Sequence, residues 1–322
     1  MNAGKELIVA TKPFAEENRV TSWLLFLSTV LFLAAALTGT VAVAQLSWNI
    51  PCSILAGLLT VRLFVIYHDF EHHAILRKSN VARTLMGICG LYCLAAPSVW
   101  KSSHDYHHTH NSKLRTAHIG SFPIMTRASF EGASRADRFW YLFARHPLTI
   151  LFGYLTVFLI GMCLLPFFRN PRRHLDCLLA FLLHVALLAT VSAVFGWQGA
   201  LLFVVVPHFI AAASGSYLFY AQHNFPEARH CKASEWSYEE AALESSSFME
   251  MPAFMHWFTA NIGYHHIHHL NARIPFYRLP EVMREMPEVQ SPRRTSLSPM
   301  EIFRCLRLKF WDPECGRMVG WH

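Results

Sequence analysis

The chain has 322 residues, 53% of them hydrophobic and only 15% charged, with 20 histidines, 8 cysteines and a formal net charge of +7. With a mean hydropathy of +0.26, it holds more apolar groups than one soluble core of this length uses, which makes the bilayer its solvent. The scattered basic excess suits anionic lipid or an acidic partner rather than nucleic acid, and cysteines without a CxxC pair read as reduced packing residues.

The opening MNAGKELIVATKPFAEENRV lacks the basic start, short apolar stretch and cleavage site of a signal peptide, so the N-terminus is expected in the cytosol. Trp23–Ala44 is uncharged, and Ile50–Tyr67 carries only Arg62, close enough to one end for its stem to snorkel; each approaches the ~20 residues a span needs. The linker QLSWN has no Lys or Arg, which turns that hairpin outward. Leu85–Val99 is short for a span and is expected to dip in or lie flat. Leu148–Phe168 is long enough to cross, but crossing would face RNPRRH or SRADRFWYLFARHP outward. Gly153, Gly161 and Pro166 point instead to a re-entrant or in-plane pair of short helices. Leu175–Phe195 and Ala200–Tyr220 form a second hairpin around GWQ. The predicted architecture is all-α and integral to the membrane: four transmembrane helices in two hairpins, re-entrant or interfacial helices, and a cytosolic helical cap. Residues 1–322 form a single domain, because no repeat, low-complexity tract or Gly/Ser linker divides them.

Under that topology the histidine clusters gather on one membrane face. HDFEHH (His68–His73) follows the second span, HDYHHTHN (His104–Asn111) the next polar segment, QHN (Gln222–Asn224) the fourth span, and NIGYHHIHHL (Asn261–Leu270) lies in the tail. On helices, His68 and His72 stack at i, i+4. His104, His107 and His108 share a face, as do His265, His268 and His269. An HxxHH pattern is expected by composition only roughly 0.08 times per chain, so two copies are a signal. Neutral imidazole binds Zn, Cu, Fe and Ni, and residue type alone does not name the metal. Eight or nine nitrogens exceed the four ligands that close a structural zinc site. Two metals with four or five ligands each, leaving positions open to a small molecule, fit the inventory, and iron suits dioxygen chemistry. The cap therefore holds a dimetal site. All-imidazole ligation leaves positive charge for outer acids to offset; Asp69, Glu71 and Asp105 are candidates to orient ring N–H groups, with Glu244 and Glu250 weaker ones. Salt bridges with Arg77, Lys78 or Lys101 explain the same acids.

HDFEHH, HDYHH and HHIHH, in that order, resemble the three histidine boxes of the membrane fatty acid desaturases, and His223 of QHN is similar to the additional ligand after the last span. The likeness runs from about Tyr67 to Pro275, and ALESSSFMEMPAFMHWFTANIGYHHIHHLNARIPFY resembles the bacterial and plastid acyl-lipid branch more than the acyl-CoA branch. The resemblance implies two iron ions, O₂ as cosubstrate, and removal of two hydrogens from adjacent methylenes of a fatty acyl chain carried on lipid, CoA or acyl carrier protein. It implies the metal ligands His68, His72, His104, His107, His108, His223, His265, His268 and His269. Where the acyl-CoA branch has an assisting Asn one turn before the last-span histidine, this chain has Phe219, and Asn261 or a water stands as the substitute. His73, a competitor of His72, is placed behind the ligands with His110, His266, Asp69, Glu71, Asp105, Asn261 and Glu244.

His184 and His208, inside apolar spans, are assigned to packing, and His118, His146, His174, His230, His256 and His322 to no role. An apolar tunnel is expected from headgroup level past the metals into the bilayer, with Trp100, Phe219, Tyr220, Trp257, Phe258 and Tyr264 near enough to line it. The chain has no dinucleotide fingerprint and no fused haem domain, so a separate donor such as ferredoxin or a cytochrome is expected. It would dock on Lys101, Arg115, Arg135, Arg138, Arg172 and Arg173, charges that lipid headgroups explain equally well. The expected location is a bacterial inner membrane, with boxes and both termini cytosolic. Hydroxylation, ketone or triple-bond formation on a lipid or carotenoid is the close rival. A divalent-metal transporter is disfavoured, because these ligands sit at span ends rather than mid-membrane.

Overall fold

The computed structural model describes residues 3–114, 116 and 119–321; Arg115, His118 and His322 lie outside the described residues. Among the described residues, three apolar helices are long enough to cross a membrane: α1 (Arg19–Gly39), α2 (Leu46–Glu71) and a stretch of 47 residues, Leu175–Ala221. Asn18 caps α1 by accepting the Thr21 amide at 3.0 Å. At 1.5 Å per residue the long stretch would reach about 70 Å, over twice the ~30 Å hydrocarbon core, if it were straight. It is not straight. Gly196 sits at φ 72, ψ 178, a region open to glycine. His184 and His208, twelve residues to either side, bring their rings to 4.7 Å. The chain thus folds back on itself as an antiparallel pair.

The segment between the apolar hairpins bends as its length demands. Helices α3 (Asn80–Tyr92) and α4 (Pro97–His110) meet at 90°, with Leu94 at φ 58 in the corner. A π-helical run, Tyr154–Leu164, follows the short Pro147–Leu151 helix and packs against the antiparallel pair α5 (Leu175–Ala200) and α6 (Val206–Ala221). Gly153 permits the approach, since a Cβ there would come within 2.3 Å of the Ser216 Oγ.

Helix α4 carries the middle histidine box and begins with Pro97, with no side-chain cap of its own. The cap comes from α5. Asp176 accepts the Ser98 amide at 2.9 Å and the Ser98 hydroxyl at 2.6 Å, and the His174 Nδ1 lies 2.8 Å from that hydroxyl.

Arg62 does not snorkel. It is 3% exposed, donates to the Thr29 hydroxyl at 3.0 Å and to the Trp257 carbonyl, and lies 4.2 Å from the Trp257 ring. A short helix arriving from far along the chain, Ala253–Phe258, covers it, which neighbouring sequence does not announce. The cap is not purely helical either. β1 (Met125–Thr126), β4 (Phe310–Asp312) and β5 (Arg317–Val319) make a small sheet in the order β1-β4-β5, and β2 (Phe248–Glu250) pairs in parallel with β3 (Arg294–Ser296). Arg145, fully buried, ties this cap together by donating to the carbonyls of Pro123 at 2.9 Å and Leu308 at 3.1 Å and to the Asn224 side chain. Asn224 in turn donates to the Cys305 carbonyl at 2.8 Å. All eight cysteines are free.

Removing the borrowed cap with Asp176→Ala should cost about 1–2 kcal/mol and lower the thermal midpoint of the purified protein in detergent. An unchanged midpoint would mean that α4 holds its place without it.

Candidate metal centre

Four elements aim imidazoles at one volume. The last turn of α2 supplies His68 and, at its C-cap, His72; α4 supplies His104, His107 and His108; the turn after α6 supplies His223; and α7 (His265–Leu270) supplies His265, His268 and His269. Their helical spacing puts each set on one face. The nine separate into two groups, His68, His72, His104, His108 and His268 in one, His107, His223, His265 and His269 in the other, with the ligand atoms of each group within 4.8 Å of one another. The groups adjoin: His108 and His269 stack at 4.2 Å.

In the group of four, the Nε2 atoms close a cycle. His107 to His223 is 3.0 Å, His223 to His265 2.9 Å, His265 to His269 3.2 Å, and His269 to His107 3.3 Å. A ring nitrogen carries at most one proton, so at most two of these four short contacts can be hydrogen bonds, and the lone pairs left over are those a cation among them would take up. In the other group, Nε2 atoms of His68 and His104 are 2.8 Å apart, His104 and His108 3.2 Å, His108 and His268 3.2 Å. The His72 Nε2 is buried without a hydrogen-bond partner. These residues fit metal ions, and neutral imidazole is the donor that iron, zinc or copper accepts.

Burial favours the neutral ring at His72, at His223 and at the histidines of α4 and α7 that face the cup. It holds His265, His268 and His269 well below the ordinary imidazole value of 6.5, helped by neighbouring histidines, and brings His223 down to about 4. Two rings are oriented from behind: Asp69 Oδ1 lies 3.2 Å from the His68 Nδ1 while its other oxygen accepts the Phe276 amide at 2.7 Å, and the Ser245 carbonyl lies 3.0 Å from the His223 Nδ1. The Ser245 contact comes from a backbone atom in a loop, which side-chain patterns do not reveal.

The other expected outer residues stand elsewhere. His73 is exposed at φ 58, turned away where α2 ends. Asp105 is exposed and paired with Lys101 at 3.0 Å, on the outer side of α4. The Lys101 ammonium also donates to the Glu71 carbonyl at 2.9 Å, and the Glu71 carboxylate belongs to neither group. Glu244 pairs with Arg293 at 2.7 Å and Glu250 with Arg294. The Asn261 amide donates to the Phe276 carbonyl at 3.0 Å. His110 stacks on Tyr106 at 3.7 Å, and His266 is buried against the Val289 carbonyl. Phe219, in the place of the anticipated Asn, lies 4.9 Å from the His107 ring and 5.6 Å from that of His223. Trp100 stacks flat on His104 at 4.8 Å.

The family model described as fatty acid desaturase matches residues 50–298. A fatty acid desaturase of Bacillus subtilis is 33% identical over 275 residues, covering 83% of this chain and 75% of its own. An sn-1 oleoyl-lipid 12-desaturase of Synechocystis is 25% identical over 257 residues, 78% of this chain and 72% of its own.

The depressed imidazoles tie stability to pH. In the unfolded chain these histidines take up protons near 6.5, whereas His223 in the fold does so only near 4. The unfolded state therefore binds more protons in between, and the stability present above 6.5 is lost as pH falls toward 4. Thermal melts of the metal-free protein across this window should show a falling midpoint on acidification; a flat or rising one would contradict the buried, neutral rings.

Proposed function

Given that the chain belongs to the fatty acid desaturase family, we propose that it removes two hydrogens from neighbouring methylenes of a fatty acyl chain, leaving a double bond, with O₂ as oxidant. The reaction balances when O₂, the two hydrogens, and two electrons and two protons from outside become two waters. The observation that carries this reading is the convergence of nine imidazoles as a five and a four. Two iron ions bound there supply the redox chemistry that activates O₂. His68, His72, His104, His108 and His268 would hold one, and His107, His223, His265 and His269 the other.

The chain's own contribution is positioning. Asp69 and the Ser245 carbonyl hold two rings in place. Burial of the cup excludes bulk water. Phe219 and Trp100 cover the imidazoles with hydrocarbon, as an acyl substrate requires. A methylene offers no proton for a side chain to pull, so a dry, close-fitting wall matters more here than an acid or base.

In the same reading α1, α2 and the two arms around Gly196 cross a bacterial inner membrane as two hairpins, with the cup on the cytosolic side. The Lys- and Arg-free QLSWN and the basic RNPRRH support that orientation. The Synechocystis relative is named for a lipid-bound chain, and a cup at the membrane face suits such a substrate better than one delivered by CoA or acyl carrier protein. A ferredoxin or cytochrome brings the electrons; Arg135, Arg172 and Arg173 are exposed and complement an acidic partner.

His268→Ala and His223→Ala remove one ring from each group. Each is expected to lose at least one of two irons per wild-type chain and to cut O₂-dependent alkene formation by more than about 100-fold, while still accumulating in the membrane. Unaltered alkene from either variant would refute the ligand set, and retention of labelled oxygen in the lipid would shift the reaction to hydroxylation.

A further inference from the structure

A second set of metal-ligating side chains lies apart from the cup. His174, Asp176 and Cys177 stand together where α5 begins, with one ligand atom of each within 4.8 Å of the others. Local geometry gathers them: His174 is the N-cap of α5 and Cys177 its third residue, positions whose side chains share one side of a first turn. Ser98, in the first turn of α4, brings its hydroxyl into their midst, 2.6 Å from the Asp176 Oδ1, 2.8 Å from the His174 Nδ1 and 3.8 Å from the Cys177 Sγ. Two oxygens, a nitrogen and a sulfur thus meet between two helix starts. Six residues of α4 separate Ser98 from His104, about 9 Å of helix rise, and none of the nine imidazoles of the cup belongs to this set.

A serine, a histidine and an aspartate side by side invite comparison with a hydrolytic triad. There the acid orients the histidine, and the histidine alone touches the serine. Here both touch the serine hydroxyl, so no relay runs through the three. A hydrogen-bonded cap explains Ser98 and Asp176 but leaves Cys177 without use: the hydroxyl has one proton, which goes to Asp176, and it accepts from His174. The sulfur is fully buried, whereas His174 and Asp176 are half-buried, so the group is reached from the surface through them. Imidazole nitrogen, carboxylate oxygen and thiolate together suit zinc, whereas magnesium and calcium take oxygen. Donors of these types around a tetrahedral zinc stand about 3.3–3.5 Å apart, so closing on an ion takes shifts of about an ångström.

We propose that His174, Asp176 and Cys177 bind a zinc ion, with the Ser98 oxygen facing its fourth position, and that this ion clasps α4 onto α5. On binding, the Cys177 thiol gives its proton to solvent, and thiolate and carboxylate together match the charge of the ion. Through Ser98 the ion fastens the first turn of the helix that carries His104, His107 and His108. A metal bond there reinforces what is otherwise a hydrogen-bonded cap. The site uses no histidine of the cup and stands independently of the desaturase reading.

Cobalt(II) occupies sites of this donor type, and its bond to a thiolate gives a near-ultraviolet charge-transfer band that the imidazoles of the cup, which carry no sulfur, cannot give. The purified full chain in detergent, its cup first saturated with iron, is titrated with Co²⁺ in thiol-free buffer. Wild type is expected to develop the band with a single Co²⁺ and to lose it when Zn²⁺ is added. Cys177→Ala should lose the band outright, and His174→Ala should weaken Co²⁺ binding at least about tenfold. Cys52→Ala, Cys231→Ala and Cys315→Ala, at the cysteines that are not buried, should keep it. If Cys177→Ala fails to accumulate or to retain its iron, Cys177→Ser, close to the thiol in size, must lose the same band. Zn²⁺ should also raise the thermal midpoint of wild type more than that of the Cys177 variant; equal shifts would remove the clasp. No band in wild type, or a band that survives the loss of Cys177, overturns the site, and neither result touches the desaturase reading.

Discussion

Nitrogen lone pairs do not crowd together without a cation between them. Four Nε2 atoms closing a cycle with edges from 2.9 to 3.3 Å, beside five more imidazoles, state the electrostatic condition around which the rest is arranged. Positive ions in a buried site need ligands that cost little to dehydrate, and neutral imidazole meets that need where carboxylates would have to be paired or protonated. The rings' neutrality is in turn a product of burial. Elements that look unrelated in the chain, the end of the long apolar α2, the bent α4, the turn after α6 and the short α7, all terminate at the same volume.

Helical periodicity does two things at once in this protein. A spacing of three and four points histidines of α4 and α7 inward. The same spacing, continued down α2 and α6, lays Phe64, Gly215 and His208 beneath those histidines on the same faces. Apolar helix faces and the histidine cup are thereby aligned without any loop having to connect them. The 90° bend between α3 and α4 completes the arrangement, for it brings the middle box back across the top of the bundle, and Asp176 holds that returning helix by its first turn.

Much of this was legible in the amino-acid sequence because it rests on local spacing: the apolar lengths of α1 and α2, the reversal near GWQ and the histidines that share helix faces. What was not legible depends on partners distant in the chain. Arg62 reads as a snorkelling residue until Trp257 covers it. His73 and Asp105 read as supports of the cup, but the left-handed turn after α2 and the outward side of α4 carry them to solvent. Glu244 and Glu250 answer to Arg293 and Arg294, residues that strand pairing of β2 with β3 brings near. The Ser245 carbonyl, which fixes His223, has no side-chain signature at all.

The Arg145 web reaches past the stretch shared with the family, which ends at residue 298. Through Leu308 and Cys305 it fastens the closing helix and strands of the chain to Asn224, the immediate neighbour of His223. The tail is therefore a keystone rather than an appendage: pulling on it, by clipping or by fusing bulk to it, tugs on the peptide that sets the His223 imidazole among its neighbours.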